Sequence, residues 1–187
     1  MNKLSLGLCG LLLSWNVQAI EVAGVTPVPE VSVGATSLHL NGAGLRTKYF
    51  FKIYVAALYL PQKQKSGEAV IAEEVAHRIA LHMLRTLDSD KLYGAFSEAI
   101  EANHSHDEMV AIAPQLKQMA QLFDAVKEVN KGDLITLDYQ PSNGTTVSVN
   151  GVARGTIAGA AFNRALLKVW LGTKPVQDDL KKGLLGG

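Results

Sequence analysis

The chain has 187 residues, with 18 lysines and arginines against 17 aspartates and glutamates, and a single cysteine. So even a balance offers no basic field for nucleic acid or an anionic membrane surface, and one cysteine excludes a disulfide framework. One domain is the natural count, and domains near 150 residues bury about 70% of the surface their unfolded chains expose, enough to hold the fold by apolar burial.

Residues 1–19, MNKLSLGLCGLLLSWNVQA, join an early lysine, Lys3, to an apolar core from Leu4 to Trp15 and end on Val17-x-Ala19. This is the pattern of a secretory signal peptide, so cleavage after Ala19 is expected, leaving residues 20–187 as a periplasmic or secreted domain. Cys9 departs with the signal, and losing Lys3 brings the charge balance to zero. The apolar run is shorter than the roughly 20 residues that cross a bilayer, so no membrane span is expected in the mature protein.

From Ile20 to His39 the sequence is rich in Val, Gly and Pro, which predicts irregular edge strands broken at Pro27 and Pro29. The stretch Gly42 to Pro61, GAGLRTKYFFKIYVAALYLP, is the longest β-prone run and predicts a central strand or hairpin. From Tyr49 its odd positions are all apolar or aromatic, which predicts a face packed under helices. The even positions carry Lys48, Phe50, Lys52 and Tyr54, joined by Arg46 if no bulge interrupts the alternation. Gly42 and Gly44 read as a tight turn or a close backbone approach. A polar link, QKQKSGEA, leads to a further strand over Val75 to Leu84, with His82 on its polar side.

Asp88 or Ser89 begins a helix with Leu92, Phe96, Ala99 and Ile100 on one stripe. A second helix carries Ile112, Leu116, Met119, Phe123 and Val126, with Pro114 as a kink or in its first turn, and the two read as a helical hairpin. Between them His104-Ser105-His106-Asp107-Glu108 is the only run of metal-ligand types. With no second pair at ligand spacing, a polar loop in which Ser105 or Asp107 caps the next helix outweighs a metal site. The period then falls to two over Leu134–Tyr139, Thr145–Val149 and Val152–Thr156, a meander turning at Asn143-Gly144 and Asn150-Gly151. A helix bearing Phe162, Leu166, Val169 and Trp170 closes at Gly172 before Pro175, and a short helix ends near Gly183. This order predicts an α+β fold, an antiparallel sheet covered by helices on one face. No serine sits in a GxSxG turn, and the glycines of GAGLR precede a strand rather than a helix, so neither a hydrolase elbow nor a phosphate loop is present.

Three segments carry a family resemblance: GAGLR followed by FKIYVAALYL, then LDSDKLYGAFSEAIEAN at Leu87 to Asn103, and ALLKVWLGTKPVQDDLKKGLLG at Ala165 to Gly186. Together they resemble the chalcone isomerase-like family, an open-faced β-sandwich. The resemblance implies that Arg46 matches the arginine that holds a substrate oxygen or a fatty-acid carboxylate. It puts Tyr54 where plant enzymes have a threonine, Leu92 in place of their tyrosine (Tyr93 if the register slips by one), Ala95 of their lysine, Ala99 of their asparagine, and Val169 of a hydroxyl residue.

Ring closure needs hydrogen-bond donors on developing charge, and leucine, alanine and valine have none to offer. The expected function is therefore that of the non-catalytic branch: an exported protein binding a small amphipathic acid such as a fatty acid, in an apolar cleft, without a cofactor. An isomerase of phenolic substrates using Arg46 and Tyr54 is the alternative. A structural or haem-binding role comes third, haem having been associated with some mitochondrial relatives, with His82 as the residue to weigh. For Arg46 itself, a salt bridge to a surface carboxylate competes with the ligand anchor.

Overall fold

The hairpin expected in Gly42–Pro61 lies inside the main sheet of a computed structural model, which describes residues 20–187. The signal peptide expected at 1–19 lies outside the described residues. Strands β1 (Glu30–Val33), β2 (Thr36–Lys48), β3 (Phe51–Leu60), β4 (His77–Met83), β7 (Leu134–Gln140), β8 (Gly144–Val149) and β9 (Val152–Ile157) form one antiparallel sheet in that order. A short pair, β5 (Leu87–Asp88) with β6 (Glu128–Val129), brackets α2 (Ser89–Ala102), α3 (His106–Ala111) and α4 (Ala113–Val126). Helix α1 (Gly67–Ala72) links β3 to β4, and α5 (Ala160–Leu171) and α6 (Asp178–Leu184) follow the meander. The expected α+β architecture is present, a curled antiparallel sheet with helices against it.

The two faces of the hairpin are the reverse of the expectation. The even positions Tyr54, Ala56, Leu58 and Leu60 enter the core beneath the helices. The odd positions Val55, Ala57 and Tyr59 belong to a second core on the back of the sheet, with Val33, Leu38 and Ala80, where Val22 and Val25 of the N-terminal segment pack. Alternation separates a wet face from a dry one, and β3 has no wet face beyond Ile53, so its period identifies a strand without saying which side the helices take. Where the odd face was expected to begin, Tyr49 is 85% exposed at the hairpin turn.

That turn, Tyr49–Phe50, also changes how Arg46 meets Tyr54. They lie on different strands, β2 and β3, and are direct register partners, brought side by side by cross-strand pairing rather than by alternation along one strand. Register shifts fall between Leu40 and Gly42 and between Arg46 and Thr47. Gly42 and Gly44 are interior to β2, so they make no turn. A Cβ on Gly42 would lie 2.2 Å from the Gly183 carbonyl oxygen, and one on Gly44 2.9 Å from Leu180 Cδ1, so both glycines admit α6 against the strand.

The polar link conceals α1, whose N-terminus is capped by Ser66 accepting from Ala69 N at 3.2 Å. Ser105 caps α3 in a reciprocal box: Glu108 N donates to its Oγ, and Ser105 N donates to Glu108 Oε2 at 2.8 Å. These bonds, with Lys168 nearby, hold the Glu108 carboxyl down at about 2. The capping reading of that segment is therefore the one realised, and among the described residues no cluster of His, Cys, Asp and Glu could hold a metal ion. Pro114 sits in the first turn of α4, where its missing N–H costs nothing.

Candidate functional site

Between the helix-covered face of the sheet and helices α2, α4 and α5 lies a cavity of about 570 Å³. Its size is within the range of small-molecule sites. Ile53, Leu81, Ile135 and Leu137 form its floor from the sheet; Phe96, Met119, Phe123, Leu166 and Val169 close it from the helices. The walls are apolar because the inward stripes of three helices and the inward face of four strands leave a gap that their side chains do not fill.

One end is polar. Arg46 is half-buried, its Nη1 donating to the Thr47 carbonyl at 2.7 Å and to Gln177 Oε1 at 3.3 Å. Gln177 is fixed in turn by accepting from Thr47 N at 2.9 Å and donating to the Leu45 carbonyl at 3.1 Å. Among the described residues no carboxylate pairs with Arg46, so the competing salt bridge is not formed; neutral partners orient the guanidinium and leave its charge uncompensated.

Tyr54, 6% exposed, accepts a hydrogen bond from Trp170 Nε1 at 3.1 Å. Burial raises its pKa above the ordinary tyrosine value, with the Trp170 bond and then the charge and hydrogen bonding of Arg46 opposing that shift. The phenol therefore stays protonated at neutral pH. Because its oxygen is already the acceptor for Trp170, its own O–H is left to donate beside Arg46.

Arg46, Tyr54, Leu92, Ala95 and Val169 all line the cavity. Tyr93 and Ala99 do not: Tyr93 packs its ring 5.3 Å from that of Phe123 and 6.0 Å from that of Phe96, one layer behind the wall, and Ala99 is buried in the core. Of the two register alternatives on α2, Leu92 rather than Tyr93 thus reaches the cavity. His82 is half-buried on β4 and alternates with Leu81 and Met83, on the same side as Ala80 of the back core, so it turns away from the cavity.

Sequence reasoning missed the group that braces the arginine. Gln177 carries no periodic signal, and it lies unremarked inside the segment Ala165 to Gly186. Trp170 was read as a core residue; its indole N–H bond to a buried tyrosine depends on a contact between α5 and β3 that spacing cannot show.

A family model for chalcone isomerase-like proteins matches residues 19–186. No curated protein matches the sequence. Among solved structures, the chain is similar to a fatty-acid binding protein of Arabidopsis thaliana, with a TM-score of 0.67 at 15% identity, covering 90% of this chain and 96% of that one. At that identity the likeness is one of fold.

Proposed function

The chain belongs to the chalcone isomerase-like family, and on that premise we propose that it is a non-catalytic binding protein for a small amphipathic acid such as a fatty acid. The apolar body occupies the cavity between sheet and helices, and the acidic head meets Arg46 with Tyr54 beside it. One observation carries this reading: a guanidinium that has no carboxylate partner among the described residues stands next to a tyrosine hydroxyl, in a cavity lined mostly by apolar side chains. A planar guanidinium suits a carboxylate through two parallel hydrogen bonds. The structural likeness to a protein described as fatty-acid binding supports the same class of ligand.

The proposal includes export, with cleavage after Ala19, on the strength of the signal-like pattern at residues 1–19. Native mass spectrometry of the purified mature protein, followed by titration with medium- and long-chain fatty acids, is the test. Saturable one-to-one binding and a mass starting at Ile20 are expected. Absence of binding across chain lengths overturns the ligand assignment, and a mass that retains residues 1–19 in the periplasmic fraction overturns export.

A further inference from the structure

The tip of the β2–β3 hairpin exposes aromatic surface that the fold itself does not use. Phe50 is 99% exposed, Tyr49 85% and Phe51 55%. The backbone gives no local reason for this choice, since Tyr49 stands at φ 56°, a conformation that glycine or asparagine adopts with less strain. Cations surround the tip. Lys48 and Lys52 flank it on the two strands, and the Arg85 guanidinium lies over the Phe51 ring, 4.4 Å from its centroid. Among the described residues none of these three cations is paired with a carboxylate. Lys48, Tyr49, Phe51 and Arg85 also line the cavity, so the tip forms part of its opening, where Glu98 is the one carboxylate among the described lining residues.

We propose that this tip docks the protein onto anionic phospholipid bilayers, with Phe50 and Tyr49 entering the interface and Lys48, Lys52 and Arg85 meeting the headgroup phosphates. Aromatic side chains favour the interfacial layer, and unpaired cations are drawn to an anionic surface over a Debye length. The even charge of the whole chain hides this local asymmetry.

A second copy of the chain is the weaker occupant. Three aromatic side chains supply roughly 450 to 750 Å², below the about 800 Å² per partner of a stable interface. In a two-fold pair the cationic patch would also meet itself. The docking inference extends the proposed function, because the cavity opening would face the layer in which an amphipathic acid dissolves, but it is read out separately, on ligand-free protein.

The experiment is co-sedimentation of the mature protein with vesicles of phosphatidylcholine alone or mixed with phosphatidylglycerol, for the wild type, Phe50→Ser and Lys52→Glu. Neither side chain lines the cavity, so both variants should keep their melting temperature and their fatty-acid affinity in solution. The wild type should bind the anionic vesicles and release in about 0.5 M salt, and Phe50→Ser should weaken binding about tenfold. Lys52→Glu should weaken it on anionic vesicles alone. Equal binding to neutral vesicles, no vesicle binding at all, wild-type binding by Phe50→Ser, or a wild-type dimer that Phe50→Ser dissociates in sedimentation velocity would each overturn the inference. Fatty-acid binding without vesicle binding would leave the ligand assignment standing and remove only the docking surface.

Discussion

Arg46 is held by a carbonyl and a neutral amide, which orient its guanidinium and leave its charge for something else. A hydrogen bond to a charged group contributes about 1.5 to 3 kcal/mol, so Arg46→Ala should weaken fatty-acid binding about tenfold to a hundredfold or more with little change in melting temperature. Tyr54→Phe removes one neutral donor and strands the Trp170 N–H, so a loss of about 0.5 to 1.5 kcal/mol is expected. Calorimetric titration of the three proteins, with thermal melts alongside, checks both values; Tyr54→Phe should also melt lower because the Trp170 N–H loses its acceptor, whereas Arg46→Ala losing stability instead of affinity would make Arg46 a structural residue. Arg46 was legible because a lone arginine in an apolar, β-prone run is costly unless it has a purpose. Its true relation to Tyr54 was not, because a two-residue turn between them left alternation and cross-strand pairing equally able to put both on one face. Tyr93 and Ala99 drop out for a related reason: a resemblance assigns a position on the helix, whereas the helix's rotation decides which of two successive residues meets the cavity.

Between residue and molecule, the joint that matters is β2 against α6. Helix α6 lies across the strand at the two glycines, and Gln177, at its N-cap position, hydrogen-bonds the backbone around Arg46. The packing of a C-terminal helix thus positions a binding residue more than a hundred positions earlier. Gly42→Ala would drive a methyl group into the Gly183 and Leu184 carbonyls, with backbone rather than a flexible side chain in the way. A loss of about 1 to 3 kcal/mol is expected, seen as a lower urea midpoint at unchanged slope. Gly94→Ala, in α2 with open space around its Cβ, should instead stabilise by about 0.5 to 1 kcal/mol. If Gly42→Ala unfolds no more easily than the wild type, α6 is not packed as described. The strands of the meander and helices α2, α4 and α5 were readable because their periods were clean and Asn-Gly turns or a Gly-then-Pro stop marked their ends. Helix α1 was not, being a six-residue helix in polar sequence whose stability comes from its Ser66 cap and from packing of Val70.

On the scale of the whole molecule, sheet and helices enclose a cavity whose chemistry is set by what its walls lack. The resemblance matches Leu92, Ala95, Ala99 and Val169 to positions that are polar in the family's plant enzymes; Leu92, Ala95 and Val169 line the cavity here, and Ala99 is buried. Arg46 and Tyr54 lie side by side among its lining residues, with Lys48, Arg85, Lys91 and Arg154 as further cations. The fold class was legible from the order of elements, and the apolar character of the site from the resemblance; cavity size, rotation of the helices and exposure of the hairpin tip arise from packing between distant segments. Catalysis by this fold depends on donors aimed at charge that develops in the transition state, and removing one such donor typically costs about a hundredfold to a thousandfold in rate. With several of the family's donors replaced by hydrocarbon, the cavity should bind a phenolic acid without turning it over. Chalcone cyclisation followed by stopped-flow absorbance should therefore run at the spontaneous rate in the presence of saturating protein, even if the chalcone competes with fatty acid for the site. Saturable acceleration that vanishes in Arg46→Ala would mean that Arg46 and Tyr54 suffice for ring closure, and that the protein is an isomerase whose apolar walls select its substrate.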